Sequence, residues 1–259
     1  HAIAIRGNFD DAQAAVKRIF ADPEINAAAA AAGISLSSAN SINTGRLIPQ
    51  IGYYLYAASS LGEFDVAVPS GNFGNLLAAY YAKLLGAPIG KFICASNVND
   101  VLARFVATGC YNPGKELSIT NSPSMDILRS SNVERLLWLL NGGDCTEVAR
   151  LMDNLAKTGS YELSAAAKER LFAEFSGGVA SPTETEAEMR RMREACGYVI
   201  DPHTAVATHV ARSLGFPRSG RTRLVAATAT PYKFPETCRA AFGEDVLVSP
   251  PPSFADLER

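Results

Sequence analysis

A short segment rich in glycine and asparagine, SGNFGN at 70–75, stands between two apolar stretches. The residues before it, FDVAVP, predict a strand, and NLLAAYYAKLLG, which begins at its last residue, predicts a helix. Backbone N–H groups at a helix N-terminus lack partners and lie at the positive end of the helix dipole, so they can bind an anion. The segment matches neither the dinucleotide fingerprint G-x-G-x-x-G nor a Walker sequence. These residues alone leave open a phosphate site and a purely structural strand-to-helix turn.

A second polar motif, NSINTGR, carries Asn40, Ser41 and Arg46. Asn40 and Ser41 close a predicted strand, and Arg46 lies at a predicted helix start. An amide, a hydroxyl and a guanidinium that converge there would suit a phosphate ester, because arginine can bond two oxygens at once. In the alternative, Asn40 and Ser41 only cap the helix and Arg46 is solvated.

Strand and helix alternate along most of the chain. Strands are predicted at 1–7, 34–40, 64–70, 91–96 and 222–230, with helices between them. Short connections of this kind are typical of a parallel sheet with helices on both faces, so the predicted fold class is α/β. From 132 to 198 the segments are mostly helical, which predicts a helical insertion. Pro49 predicts a kink or a helix start nearby, because proline lacks a donor and clashes with the preceding turn.

The bulk composition excludes several classes of protein. The 259 residues are 47% apolar and 19% charged, with a net charge of −2 and a pI near 6.0, as in ordinary globular proteins. There is no basic footprint for nucleic acid, no apolar run near the roughly 20 residues that cross a bilayer, and no signal-peptide pattern. We therefore expect a cytoplasmic protein with a small-molecule partner, and neither a nucleic acid nor a membrane.

The cysteines and histidines do not form a metal-site pattern. The five cysteines are widely spaced and odd in number, without a C-x-x-C pair, so reduced structural thiols are expected. None of His1, His203 and His209 pairs with another histidine at i+4. No metal site is predicted.

Several motifs in one order resemble the threonine synthase family, whose members depend on pyridoxal phosphate. These motifs are NSINTGRLIPQIGYY, SGNFGN, ASNVNDVLARFVATGCYNP, SPSMDI, DPHTAVA and ATATPYKFPE. The resemblance implies the tryptophan-synthase-β-like fold, called fold type II. It also implies a lyase of threonine biosynthesis that converts O-phospho-L-homoserine and water to L-threonine and phosphate, with the cofactor ring as electron sink. Such a site holds two phosphates at once, so two anion-binding motifs are expected.

The resemblance assigns the loop at 70–75 to the cofactor's phosphate. Its residues are Ser70, Gly71, Asn72, Phe73, Gly74 and Asn75. Glycine lets the backbone approach a phosphate closely, and the Ser and Asn side chains can add donors. Thr228 occupies the position that contacts the cofactor's ring nitrogen in the family. A hydroxyl partner leaves that nitrogen less cationic than a carboxylate would.

The resemblance places the substrate's phosphate at Asn40, Ser41 and Arg46, with Asn43 as a weaker candidate. Lys233, in ATATPYKFPE, could assist with phosphate or pair with a carboxylate. An exposed lysine at a helix start is the alternative for Lys233.

The chain departs from the family pattern after Thr228. Members usually read Thr-Ala-His-Pro-Ala-Lys-Phe, whereas this chain has Thr230 in place of the histidine and Tyr232 in place of the second alanine. The loss of an imidazole puts in doubt a proton relay at this place. His203 in DPHTAVA is expected to cap a helix that Pro202 helps to start, and Asp126 in SPSMDI is assigned no role.

The Schiff-base lysine of the family is expected outside this chain. No lysine lies in the family's His-Gly-Pro-Thr-x-x-Phe-Lys-Asp setting; the lysines are Lys17, Lys83, Lys91, Lys115, Lys157, Lys168 and Lys233. The resemblance thus implies the C-terminal portion of a longer synthase, without its N-terminal domain, and we expect this portion to be inactive alone. Its parts would be the end of a small α/β domain at 1–42, a cofactor-binding domain at 43–131 and 199–259, and the insertion at 132–198. Partner segments or oligomer contacts would cover the open sheet edges.

Two other functions stay open from the sequence. A threonine-synthase-like phospho-lyase would keep both phosphate motifs and differ near Thr228 to Lys233, where this chain does depart from the pattern. A non-catalytic phospho-ligand-binding homologue would have lost the Schiff-base lysine. The product formed by the whole protein separates the first alternative from threonine synthase, and the reading frame upstream of His1 tests the second.

Overall fold

The computed structural model describes residues 5–7, 9–38, 40–114, 116–217, 220–243 and 246–247, without the side chain of Phe9. Two helices, α1 (Phe9–Ala21) and α2 (Pro23–Ala31), come first. The Asp22 carboxylate starts α2 by accepting hydrogen bonds from the amides of Glu24 (2.9 Å) and Ile25 (3.1 Å), which satisfies N–H groups that the helix leaves unpaired.

The described strands form a four-stranded parallel sheet and a small antiparallel pair. They are β1 (Phe64–Pro69), β2 (Ile89–Ser96), β3 (Cys110–Tyr111), β4 (Tyr161–Glu162), β5 (Phe175–Val179) and β6 (Thr222–Val225). The sheet order is β5-β2-β1-β6, and β3 pairs with β4. In register, Phe64 lies opposite Ile89 on one side and Thr222 on the other. Every residue of β1 is buried, including Asp65, because helices cover both faces, which explains the apolar residues at 66–69.

Helices connect the strands. They are α3 (Thr44–Leu61), α4 (Gly74–Leu84), α5 (Val101–Thr108), α6 (Val133–Leu140), α7 (Cys145–Thr158), α8 (Ala165–Glu174), α9 (Pro182–Cys196), α10 (Pro202–Ser213) and α11 (Pro235–Phe242). Short 3₁₀ turns occupy Pro123–Met125 and Pro231–Lys233. Pro49 lies inside α3, in the second turn after Thr44. Of the helices described, none has both the length and the apolar character to cross a bilayer.

Successive side chains of β1 enter two different cores. Val66 and Val68 belong to the larger core, on the face covered by α3, α4 and α5. Ala67 belongs to the smaller core, where Val206 and Val210 of α10 pack. Side chains alternate across a strand, so one short strand holds both layers together. The predicted parallel sheet with helices on both faces is confirmed.

The strand β5 lies inside the region 132–198, which the sequence predicts as a helical insertion. This region is mostly helical, but β5 pairs with β2 and forms one edge of the described sheet. Its sequence, FSGGV, has two glycines and lacks the apolar pattern of a strand, so it was not predicted. A Cβ on Gly177 would lie 2.4 Å from Val106 Cγ2 of α5, and one on Gly178 would lie 2.7 Å from Val210 Cγ1 of α10. Glycine lets both helices approach β5 closely. The domain boundaries stay predictions.

Two predicted strands, 1–7 and 34–40, do not form in the residues that the structure describes. Residues 34–38 of the predicted strand 34–40 have no regular structure, and Ile34 is 58% exposed. A strand needs a neighbour to satisfy its N–H and C=O groups, and none of the described strands pairs there. Residues 5–7 of the predicted strand 1–7 are also not extended into a sheet. Residues 1–4 and 39, together with 248–259 of the last predicted domain and Lys115, lie outside the described residues.

Candidate functional site

A cleft of about 960 Å³ opens at the carboxyl ends of β1 and β6, between the start of α3, the loop after β1 and the residues after β6. Crevices at the carboxyl ends of parallel strands are the usual ligand sites of α/β proteins. The predicted site residues that line it are Ser41, Arg46, Ser70, Gly71, Asn72, Phe73, Gly74, Asn75 and Thr228. Asn40, Asn43 and Lys233 are not among its lining residues.

The loop at 70–75 presents backbone donors to this cleft. Ser70 still belongs to the sheet, since its N–H donates to the carbonyl of Ala95 at 2.9 Å. Phe73 then adopts the left-handed conformation, with φ of 60°, and α4 begins at Gly74. Among the residues that the structure describes, no acceptor meets the backbone N–H of any residue from Gly71 to Leu76. A run of unpaired amides at a helix start fits an anion.

Protein packing also shapes the loop. A Cβ on Gly71 would lie 3.0 Å from both Ile127 Cδ1 and the Ser124 carbonyl oxygen. The Phe73 ring is buried 5.8 Å from that of Phe175, centroid to centroid. The phosphate-site and structural-turn interpretations are therefore not exclusive, because the side chains hold the turn while its amides stay free.

The side chain of Asn75 joins α4 to α3. Its Oδ1 accepts from the Tyr54 hydroxyl at 2.5 Å, and its Nδ2 donates to Gln50 Oε1 at 3.0 Å and to the Tyr53 hydroxyl. Tyr54 is almost fully buried, and burial raises its pKa well above the ordinary value, so it stays a neutral donor. Only the backbone of Asn75 is left for a ligand. Tyr53, Tyr54 and Gln50 line the cleft too, and sequence analysis did not single them out.

The second motif is divided by the structure. Asn43, not Asn40 or Ser41, caps α3: its Oδ1 accepts from the amide of Gly45 at 2.8 Å. Asn40 Oδ1 accepts from the Ser41 hydroxyl at 2.9 Å, within the turn. Ser41 and Arg46 line the cleft, and Arg46 is exposed on the first turn of α3. A hydroxyl and a guanidinium thus face the same space as the loop amides.

Beyond β6, Thr228 and Lys233 are both exposed, but only Thr228 lines the cleft. Lys233 ends the 3₁₀ turn Pro231–Lys233, and its Nζ lies 5.8 Å from the centroid of the Phe234 ring. A cation over an aromatic face gains about 0.5–1 kcal/mol at an exposed site. The described contacts of Lys233 are therefore those of an exposed residue outside the cleft lining.

His203 does not cap α10. Asp201 is the cap, and its Oδ1 accepts from the amides of His203 (2.9 Å) and Thr204 (3.3 Å). His203 Nδ1 lies 3.0 Å from Asp201 Oδ1, and its Nε2 accepts the amide hydrogen of Ser124 at 3.1 Å. Burial raises the pKa of Asp201, but hydrogen bonds from His203 and Thr204 outweigh this and lower it. The imidazole thereby connects α10 to Ser124, which lines the cleft.

Asp126 organises a turn. Its Oδ1 accepts from Asn97 Nδ2 (2.8 Å), Asn99 Nδ2 (3.0 Å) and Thr120 Oγ1 (2.8 Å), and its Oδ2 accepts from the Thr120 amide. Asn97 and Asn99 are buried. These bonds support the residues before Pro123–Met125, and no part of this cluster lines the cleft.

Comparison with known proteins agrees with this arrangement. The family model described as "Threonine synthase, C-terminal" matches residues 204–259. Threonine synthase of Pseudomonas aeruginosa is 38% identical over 269 residues, covering 99% of this chain and 54% of that protein. Threonine synthase-like 1 of Homo sapiens is 42% identical over 221 residues, covering 81% of this chain and 30% of that protein.

A crystal structure of PLP-bound threonine synthase from Brucella melitensis has a TM-score of 0.87 and 41% identity to this chain. The match covers 99% of this chain and 54% of that one, so the fold is that of the type II pyridoxal-phosphate enzymes. The chain spans about half the length of the threonine synthases it matches. It belongs to the threonine synthase family.

Proposed function

We propose that the protein containing this chain converts O-phospho-L-homoserine and water to L-threonine and phosphate, as a cytoplasmic, pyridoxal-phosphate-dependent carbon–oxygen lyase. The observation that carries the proposal is the meeting of two phosphate-suited motifs in one cleft. Ser41 and Arg46, the loop at 70–75 and Thr228 all line this cleft.

The residues present fit pyridoxal phosphate. The free amides from Gly71 to Leu76 would hold its phosphate at the start of α4. Thr228 would meet its ring nitrogen through a neutral hydroxyl. When bound, the cofactor supplies an electron sink for negative charge that develops on the substrate.

The chain's own residues would bind and orient the substrate. The Arg46 guanidinium would hold the phosphate of the ester, a dianion for which arginine offers paired donors. The Ser41 hydroxyl would join it by turning its single hydrogen from Asn40 Oδ1 to the phosphate. The bonds from Asn75 to Gln50, Tyr53 and Tyr54 hold α3 against α4, so Arg46 keeps its place relative to the loop.

Arg46→Ala in the protein expressed from its complete reading frame tests this role. Loss of a charged hydrogen-bond donor is expected to raise the KM for O-phospho-L-homoserine roughly 10- to 100-fold. Arg150→Ala is the matched control, because Arg150 is 54% exposed on α7 and pairs with Glu147; its KM should not change. The assay follows both threonine and phosphate. An unchanged KM in Arg46→Ala contradicts the assignment.

The same assay separates the alternative functions. A keto acid in place of threonine would indicate the phospho-lyase, and ligand binding without any product would indicate the non-catalytic homologue. A solved threonine synthase structure covers 99% of this chain with a TM-score of 0.87, which supports threonine synthase.

A further inference from the structure

Asn132 connects the two motifs that line the cleft. It lies directly before α6 and is fully buried. Its side-chain Nδ2 donates to the Ser41 carbonyl at 3.2 Å and to the Asn72 carbonyl at 3.1 Å. Its backbone N–H also donates to the Asn72 carbonyl, at 3.3 Å. One amide group thus bonds both loops, which are far apart along the chain.

Arg135, one turn later, sets the orientation of this amide. Its Nη1 donates to Asn132 Oδ1, and its Nη2 donates to the Ile42 carbonyl at 2.7 Å. A guanidinium only donates, so Asn132 Oδ1 must face Arg135, and Nδ2 must face the two carbonyls. Arg135 also adds a bond to the Ser41–Ile42 turn that does not pass through Asn132.

Packing leaves little room for another side chain here. A Cβ on Gly74 would lie 3.1 Å from Asn132 Nδ2, so the first residue of α4 packs directly on this amide. A carboxylate in its place would set an oxygen against two carbonyl oxygens. Loss of the side-chain amide would leave the Ser41 carbonyl without this donor, whereas the Asn72 carbonyl would keep the bond from the backbone N–H of Asn132.

We propose that Asn132 is a positioning residue that holds the substrate-phosphate motif and the cofactor-phosphate loop at a fixed separation. The inference rests on the proposed function, because it assigns one phosphate to each motif. Two bound groups react efficiently only when their relative position is set in advance, and small displacements of a positioning element are costly. Asn132 sets that position from outside the cleft, without touching either ligand.

The test uses Asn132→Asp, Asn132→Ser and Arg135→Gln in the protein expressed from its complete reading frame. Amide hydrogen exchange of segments 41–46 and 77–80, measured without ligands, reports the two motifs, because the amide of Leu77 is the first of α4 to be hydrogen-bonded, to the carbonyl of Phe73 at the end of the loop. Titration with pyridoxal phosphate reports the cofactor site, and inhibition by inorganic phosphate reports the substrate-phosphate site. In both Asn132 variants, both segments should exchange faster, and both affinities should fall about tenfold.

Arg135→Gln distinguishes positioning from general damage. This variant should speed amide exchange at 41–46 only and should weaken inhibition by inorganic phosphate. Its affinity for pyridoxal phosphate should stay within about twofold of wild type, because the bond from Asn132 to Asn72 remains. Asn141→Ser, at the other end of α6, is the matched control; Asn141 Nδ2 donates to the Leu137 carbonyl, so neither loop should change.

Three results bear on the outcome. If Asn132→Asp does not fold, Asn132→Ser carries the test, because it buries no charge and keeps the backbone bond to Asn72. A folded Asn132 variant in which either segment keeps its wild-type exchange overturns the inference. Lack of threonine formation by the wild-type protein overturns the proposed function instead, and leaves the exchange measurement decisive for the positioning role.

Discussion

Gly71, in the loop at 70–75, lies against Ser124, to which His203 is hydrogen-bonded. Ser124 donates its amide hydrogen to His203, and the Ser124 carbonyl lies 3.0 Å from where a Cβ on Gly71 would sit. A methyl group there must push on the Ser124 backbone carbonyl, which cannot move aside as the end of a side chain can, and on the Cδ1 methyl of Ile127. The requirement for glycine at 71 comes from this close approach.

Gly71→Ala is expected to lower the free energy of unfolding by about 1–3 kcal/mol, as overpacking usually does, and to weaken binding of pyridoxal phosphate. Gly52→Ala is the matched control. Gly52 is exposed inside α3 with nothing within 4 Å of an added Cβ, so alanine should raise stability by about 0.5–1 kcal/mol. Urea unfolding measures both. Equal effects of the two substitutions would contradict the packing argument.

At the scale of elements, α9 and α10 are joined through one buried carboxylate. Glu188 on α9 has a fully buried side chain. It accepts from Arg191 Nη2 at 2.6 Å on its own helix and from Arg212 Nη2 at 2.9 Å on α10. Burial raises the pKa of Glu188, but the hydrogen bonds from both arginines outweigh it, so the pKa is lowered overall.

Glu188→Gln is expected to lower the free energy of unfolding at pH 7 by about 1–3 kcal/mol. The effect stays below that of fully buried pairs because both arginines remain partly hydrated. The pKa of Glu188 is lower in the folded than in the unfolded protein, so unfolding takes up a proton in acid. The stabilisation is complete above the unfolded value of about 4.3 and is lost as the pH falls through the folded pKa.

Urea unfolding at pH 7, 5, 4 and 3 checks this pH dependence. The difference between wild type and Glu188→Gln should be constant from pH 7 to 5 and shrink below about pH 4. Glu147→Gln is the control, because the Glu147–Arg150 pair lies on one exposed helix surface, where ion pairs contribute little to stability. A difference that grows as the pH falls would show that the sign is wrong.

For the molecule as a whole, both proposed phosphate motifs line the cleft, but none of the lysines described lines it. The chain of residues 1–259 alone is therefore expected not to release phosphate from O-phospho-L-homoserine, whereas the protein from the complete reading frame does. A phosphate-release assay of both preparations measures this. Release by the isolated chain at the rate of the complete protein would refute the expectation.

Features that depend only on neighbouring residues could be predicted from the sequence. The apolar run, the glycine turn and the amphipathic helix around 64–84 are contiguous, so pattern alone predicted β1, the loop and α4. Motif order alone led to the family. The sequence also predicted a helix start at Asp201 and Pro202, but it assigned the cap of α10 to His203, whereas Asp201 is the cap. Capping depends on which side chain reaches back to the amides, and the sequence does not show this.

The contacts between residues that are distant in the sequence could be seen only in the folded chain. The bonds from Asn132 to Ser41 and Asn72 span 91 and 60 positions, and no local period records them. The strand β5 was missed because its glycines reflect close contact with α5 and α10 rather than strand propensity. The same holds for the side chain of Asn75, which bonds α3, and for the positions of Asn40 and Lys233 outside the cleft lining. Each outcome depends on sheet order and helix packing, which bring distant residues together only after the chain has folded.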